Sequence, residues 1–273
     1  LRRETSTADP GLDHLLWQAL IGIGGPRPGT RQRMRDYALK AMREAAVRTS
    51  WARPDERFEA AALALVDAAY DDPAVREPLA RFAARIEPHA TSNLLAQKLI
   101  QLAMPGVPDV YQGSELSDDS LVDPDNRRPV DFAARAALLR RLDGAGGPPP
   151  GDIDAAKLWL VSRVLRARRD RPDRFVGYAP LQARGPAAEH AVAFDRGGAI
   201  AIGTRLPAGL SGAGGWRDAA LRLPDGTWSD ALTGARWAGE VQIAAVLSAF
   251  PAALLLREDP PDATASPAPE EGP

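Results

Sequence analysis

Cysteine is absent from this 273-residue chain, which excludes a disulfide framework, a thiol nucleophile and a cysteine zinc site. Histidine is scarce. His14, His89 and His190 lie far apart, so no histidine metal cluster is expected and no metal is assigned. Neither charge sign prevails: 34 Lys and Arg stand against 36 Asp and Glu, a formal net charge of −2. That balance excludes a strongly basic nucleic-acid binder and a polybasic membrane-surface protein. No uninterrupted apolar run reaches the length of a bilayer span. Leu1 to Thr7 lacks the apolar core of a secretory signal, so the expected localisation is cytoplasmic, with neither nucleic acid nor membrane as partner. Cofactor motifs are missing as well. There is no Gly-x-x-x-x-Gly-Lys phosphate loop, and Gly22-x-Gly24-Gly25 follows a helical pattern rather than a strand, so no cofactor is expected. A Gly-x-Ser-x-Gly elbow is lacking too, despite Gln112-Gly113-Ser114.

What is present is enough apolar material, 45% of residues, for one large core or two modest ones. Leu12, Leu15, Leu16, Ala19 and Leu20 fall at helical spacing, and Met34, Tyr37, Ala38, Ala41, Met42 and Ala45 repeat it. Pro54-Asp55-Glu56 reads as a helix start with a buried face through Phe58, Ala62, Leu65, Val66 and Ala69. Val75, Leu79, Phe82 and Ile86 predict a further helix, and Ser92 a cap for another, through Leu95, Leu99 and Leu102. Gly106 to Tyr111 is short, β-branched and aromatic, the pattern of one buried strand. A single such strand needs partner strands, which points to sequence preceding residue 1. A polar loop runs from Gln112 to Pro129, a helix from Asp131, a Gly/Pro linker from Gly144 to Gly151, and a helix capped by Asp154 follows.

Beyond Arg174 the pattern turns to β. Val192 and Phe194, Asp195-Arg196-Gly197-Gly198, and Ile200 and Ile202 predict a hairpin. Leu221 and Leu223 lead to a turn at Asp225-Gly226, Val241 and Ile243 alternate, and Ala252 to Leu256 closes a small antiparallel β-sandwich. The fold class is therefore α/β plus all-β. The expected divisions are 1–90 (helical subdomain), 91–150 (helix, strand and polar loop), 151–258 (helix and β-sandwich) and 259–273 (a disordered tail).

The polar loop carries the chemistry. Glu115, Asp118, Asp119, Asp123 and Asp125 crowd it, with Tyr111, Gln112, Asn126, Arg127 and Arg128 among them. Donors and acceptors in that mixture suit sugar hydroxyls, and an aromatic ring suits a sugar face. The alternative is a solvated acidic loop braced by its own ion pairs, the reading favoured for Asp118 and Asp119. Asp123-Pro124-Asp125-Asn126 has calcium-loop character, but Arg128 stands where that loop requires Gly. Trp216, Trp228 and Trp237 fit either a sugar platform or core and turn anchors.

Pro105-Gly-Val-Pro-Asp-Val-Tyr-Gln-Gly-x-Glu115 resembles the eighth barrel strand of the α-amylase superfamily, glycoside hydrolase family 13. Ser120-Leu-Val-Asp-Pro-Asp-Asn-Arg-Arg-Pro-Val-Asp-Phe132 resembles, within it, the maltooligosyl-trehalose synthase family of intramolecular glucosylmutases. Arg48-Thr-Ser-Trp51 with Pro54-Asp-Glu56, Ser92-Asn-Leu-Leu-Ala-Gln97, Leu223-Pro-x-x-x-Trp228 and Phe250-Pro-Ala-Ala-Leu-Leu255 resemble its helical insertion, last barrel helix and C-terminal β domain. Ser117 and Asp119 depart from it, standing where an aromatic and an apolar residue are usual.

The resemblance implies the C-terminal part of a TIM (β/α)8 barrel with a helical insertion, followed by the β domain. It implies conversion of the reducing-end α-1,4 link of maltooligosaccharides into an α,α-1,1 link by a retaining mechanism. No motif for the catalytic carboxylates occurs in this chain, so no catalytic residue is assigned and the chain alone is expected to be inactive. Substrate binding falls to Tyr111, Gln112, Glu115, Asp123, Asp125, Asn126, Arg127 and Arg128. The implied partners are the maltooligosaccharide, the missing N-terminal part of the enzyme and a maltooligosyl-trehalose trehalohydrolase in the same pathway. The competing functions are a hydrolase or transglucosidase of the superfamily, and a non-catalytic glucan-binding module.

Overall fold

The computed structural model describes residues 6–259, which fall into two compact units. The first takes residues up to Ala90 together with Gln112–Phe132; the second takes Thr91–Tyr111 and the chain from Ala133.

Three helices and the start of a fourth build the first unit: α1 (Pro10–Gly22), α2 (Arg31–Ala45), α3 (Glu56–Asp71) and α4 (Pro73–Ala103). Local chemistry sets their starts. Asp9 accepts hydrogen bonds from the N–H groups of Gly11 and Leu12, and Asp55 from that of Phe58, which satisfies donors the first turn leaves open. The apolar stripes meet in one core of Leu16, Leu20, Met34, Ala38, Leu65, Val66 and Leu79.

One expectation is corrected in α4. The two helices anticipated around Ser92 are a single helix of 31 residues with Pro78 and Pro88 inside it, so Ser92 caps nothing. An interior proline removes one backbone hydrogen bond. Burial of Val75 and Leu79 on one side, and of Leu95, Leu99 and Leu102 on the other, outweighs that loss.

The second unit contains the end of α4, α5 (Phe132–Asp143), α6 (Ile153–Asp170) and seven strands. The cap of α6 is Asp152, whose carboxylate accepts from Ala155 N–H, rather than Asp154. The strands are β1 (Ala179–Pro180), β2 (Ala183–Arg184), β3 (Ala191–Asp195), β4 (Ala199–Thr204), β5 (Ala220–Asp230), β6 (Arg236–Gln242) and β7 (Ala252–Arg257). The β3–β4 hairpin forms as the sequence predicts, with Asp195 accepting from Gly197 and Gly198 N–H across the turn. The Asp225-Gly226 turn is instead an irregularity inside β5, between Arg222 and Thr227, and Ile243 starts a short helical turn rather than continuing β6.

All seven strands join one antiparallel sheet in the order β1-β3-β4-β7-β5-β2, with β6 also on β5. The expected two-layer sandwich is thus a single sheet. Side chains of its own strands meet to form much of its core. Ile200, Ile202, Trp228, Val241, Ala253 and Leu255 share one core. The alternate residues of β4 are buried as well, and a Cβ at Gly203 would stand 3.1 Å from Ala96 Cβ, so α4 lies directly on that strand. Trp159 of α6 donates its indole N–H to Leu232 O at 3.0 Å.

Residues 107–111 form no strand, and Val107 is 97% exposed. A strand exists only through hydrogen bonds to a neighbour, and every strand among the described residues lies beyond residue 178 and pairs elsewhere. The barrel portion has no strand among the described residues for the same reason. Arg168 instead ties down the turn before this stretch, donating to Leu102 O at 2.9 Å, Met104 O at 3.1 Å and Gly106 O at 2.5 Å. The expected tail from 259 begins with an anchored residue: Asp259 pairs with Arg171 at 2.8 Å and with Arg174. Residues 260–273 lie outside the described part.

Arg196 joins three segments of the second unit. It is buried, and its guanidinium donates to the carbonyls of Ala103, Phe175 and Gly177. Replacing it by Met strands three acceptors, each worth roughly 1–3 kcal/mol when left unpaired. Arg196→Met is expected to lower unfolding free energy by about 3 kcal/mol or more in a urea titration, with an unchanged midpoint contradicting the assignment.

Candidate functional site

The loop at 112–132 has little regular structure: a turn at Gln112–Glu115, one 3-10 turn at Asp125–Arg127, and irregular chain between. It is positioned by α2. Arg33, Asp36, Tyr37 and Lys40 recur at helical spacing, which places them on one face of that helix. Arg33 reaches Asp125 through two parallel hydrogen bonds, Nε to Oδ1 and Nη2 to Oδ2, both 2.8 Å. The same Nη2 donates to Asp119 O at 2.7 Å and to its Oδ1 at 3.1 Å. Both partners are largely out of water, with side-chain exposures of 17% for Arg33 and 14% for Asp125. This bidentate fork on a half-buried carboxylate is among the stronger polar contacts a protein makes.

Further contacts complete the brace. Asp125 Oδ2 accepts from Leu121 N–H at 2.8 Å, and Arg128 donates to Asp125 O at 3.0 Å and to Ser120 Oγ at 3.2 Å. Arg27 pairs with Asp119 at 2.5 Å, and Lys40 donates to Asp123 O. Asp118 serves its own turn, accepting from Ser120 N–H and Oγ. Burial by itself raises the carboxyls of Asp119 and Asp125. The guanidiniums of Arg33 and Arg128 on both, Arg27 on Asp119 and the Leu121 N–H on Asp125 outweigh it, holding both below the ordinary carboxylate range. The Arg33 guanidinium is correspondingly raised, chiefly by its hydrogen bonds to Asp125. Burial pushes the Tyr37 phenol up.

Between α2 and the loop lies a cleft of about 260 Å³, lined by Arg33, Asp36, Tyr37, Lys40, Leu121–Asp125 and Arg128. Its volume is just below the range of roughly 300–1,000 Å³ common for small-molecule sites. Of the residues assigned to substrate binding, Asp123, Asp125 and Arg128 line it. Asn126 and Arg127 are exposed on the same 3-10 turn, with Arg127 paired to Asp123 at 2.6 Å. Gln112 and Glu115 lie at the start of the loop, in the first unit, and Tyr111 is half-exposed in the second. Sequence reasoning missed Arg33, Asp36 and Lys40, and it placed Tyr37 in a core stripe. The available signal was the polar face of α2 itself. Of the three tryptophans considered as a platform, Trp228 is fully buried and the other two are partly buried. Among the described residues there is no group of three His, Asp or Glu that could hold a metal ion, and no helix long and apolar enough to cross a membrane.

The fold is that of a group of solved structures that share one name. A crystal structure of a maltooligosyl trehalose synthase shares it at a TM-score of 0.71 and 22% identity, over 89% of this chain, which speaks for the fold alone. The nearer matches carry the same name. The maltooligosyltrehalose synthase of Arthrobacter ramosus is 48% identical with a TM-score of 0.88, over 93% of this chain and 33% of its own. A Mycobacterium tuberculosis protein described as "Putative maltooligosyl trehalose synthase" is 43% identical over 251 residues, 89% of this chain and 31% of its own. No family model matches. The chain is thus a homologue of one part of the maltooligosyl trehalose synthases, and it spans about a third of the length of the curated relatives it matches.

Two outcomes test the brace. Arg33→Met is expected to raise the rate of limited proteolysis between residues 118 and 128 about tenfold, since a charge-assisted pair is worth about 1.5–3 kcal/mol. Because the Asp119 and Asp125 carboxyls are depressed in the fold, their stabilisation is complete above the ordinary carboxyl pKa of about 4 and is lost as pH falls through the folded values. The Leu121 amide proton resonance should therefore be constant at neutral pH and titrate only in acid below about pH 4. A midpoint above that would contradict the brace.

Proposed function

We propose that this chain is the C-terminal portion of an intramolecular transglucosidase that isomerises the reducing-end α-1,4 link of a maltooligosaccharide to α,α-1,1. The observation that carries the reading is the similarity of nearly the whole chain, at 43–48% identity, to proteins named for that product. The Arg-braced loop with Asn126 and Arg127 left outward supports it, since fixed donors and acceptors on a rigid turn are what a polyhydroxylated substrate needs.

In this reading the nucleophilic carboxylate and the acid come from sequence outside the chain. The nucleophile attacks the anomeric carbon of the glucosyl unit next to the reducing end, and the acid protonates the glycosidic oxygen as that bond breaks. The released glucose stays in place and turns. Its anomeric hydroxyl then attacks the glycosyl-enzyme ester, giving up its proton to the same acid group, now a base. Water would divert the intermediate to free glucose, so the site must close around it. Tyr111, Gln112, Glu115, Asp123, Asp125, Asn126, Arg127 and Arg128 hold the sugar or support the residues that do. Residues 107–111 become a barrel strand only when neighbouring strands supply ladder partners. The cytoplasm is the proposed compartment, and a trehalohydrolase acting on the trehalose-ended product is the proposed pathway partner.

The test is to express the chain joined to the remainder of a synthase of this type and incubate it with maltopentaose. Loss of reducing ends without free glucose is expected. Glucose release would assign a hydrolase, and binding without turnover a glucan-binding module. In the assembled enzyme, Arg127→Ala is expected to lower kcat/KM about 10–100-fold, the usual cost of losing a positioning contact. Unchanged kinetics would remove Arg127 from the site.

A further inference from the structure

Trp51 differs from the other five tryptophans. It is 60% exposed, whereas Trp17, Trp159 and Trp228 are buried and Trp216 and Trp237 partly so. The segment that carries it is firmly built. Thr49 is buried, donating its hydroxyl to Glu59 Oε1 at 2.5 Å and accepting from Asp55 N–H at 2.9 Å. Ser50 N–H donates to Arg53 O, and Arg53 N–H to Ser50 Oγ, both at 3.1 Å. Arg43 forms a two-point pair with the buried Glu59, at 2.8 and 2.7 Å, and its guanidinium carbon lies 4.9 Å from the centre of the Trp51 ring. A planar cation, neutralised and locked by a buried carboxylate, thus backs an indole that stays largely in solvent.

The neighbouring residues identify what that ring can hold. Ala52, Arg53 and Pro54 are exposed beside it, and none adds a large apolar surface. One isolated ring is too small for a protein partner, which needs a contiguous patch of several hundred Å². Its cation-binding capacity is already engaged by Arg43. A flat aromatic face backed by a paired guanidinium fits a pyranose ring, whose axial C–H groups form an apolar face while its hydroxyls remain in water. The same segment also contributes Val47 and Arg48 to a cleft of about 250 Å³ floored by Leu12, Leu15, Met42 and Phe58.

We propose that Trp51 is a stacking platform for a glucose ring of an α-1,4-glucan, with Arg43 and Glu59 as its positioning residues. The choice of sugar rests on the function proposed above. The platform does not depend on the braced loop.

The experiment is a titration of the full 273-residue chain with maltoheptaose, followed by tryptophan emission and by calorimetry. A saturable blue shift is expected, because Trp51 is the most exposed of the six indoles and has the most water to lose. Trp51→Ala should abolish the shift and weaken binding by about fivefold or more, the equivalent of about 1 kcal/mol for an aromatic stack. Trp51→Tyr, which keeps a ring, should restore most of the affinity. Glu59→Gln should weaken binding severalfold while far-UV circular dichroism is unchanged. Equal affinity of Trp51→Ala and the parent, or no shift at all, overturns the proposal. Isomerisation by the assembled enzyme with Trp51→Ala binding normally would sink the platform and keep the function. A shift that depends on Trp51 without isomerisation would do the reverse.

Discussion

The pair between Arg33 and Asp125 is the constraint on which the loop depends. The twenty residues from Gln112 to Asp131 contain only turns of regular structure, so ordering them costs backbone entropy with little hydrogen-bond return from helix or ladder. A guanidinium on a helix supplies what the loop lacks. Arg33 sits on a rigid element, its fork matches the carboxylate, and half-burial protects the pair from solvent screening. Asp119, Arg27 and Arg128 extend it to a network, which gives such contacts more weight than an isolated surface pair has. The carboxylates of this loop are thus committed largely to holding its shape. Asn126 and Arg127 are left outward on the 3-10 turn, Arg127 with its guanidinium on Asp123.

The same solution recurs in the second unit with a different acceptor. Arg196 has no carboxylate partner; its donors meet three backbone carbonyls where α4, the 172–177 segment and the β3–β4 turn converge. Arg168 does likewise for the chain leaving α4. An arginine-rich chain with no cysteine fastens its irregular segments with guanidiniums where a secreted protein of similar loop content would use disulfides.

Several features were legible in the residues. The stripes of α1, α2 and α3 were visible because each helix buries one face, and the β3–β4 hairpin because its strands are apolar and its turn is Asp-x-Gly-Gly. Cap positions were less so: Asp152 and Asp154 are equally plausible in composition, and only the backbone geometry selects Asp152. The sandwich expectation failed for a specific reason. Strand spacing reports how many strands exist and says nothing about whether their edges join one sheet or two. The acidic loop stood out by its composition, while α2 did not, because Arg33, Asp36 and Lys40 look like any solvated helix face.

What the sequence determined by itself is local and periodic: which faces are buried, where turns fall, and the motif between residues 105 and 132 that resembles the maltooligosyl trehalose synthases. Tertiary structure alone decided the pairings. Arg33 and Asp125 stand 92 positions apart, and no pattern in either neighbourhood announces the other. Residues 107–111 show the converse. Their apolar, β-branched composition is a real strand propensity, yet a strand is a relation between two chain segments, and composition cannot supply the second one.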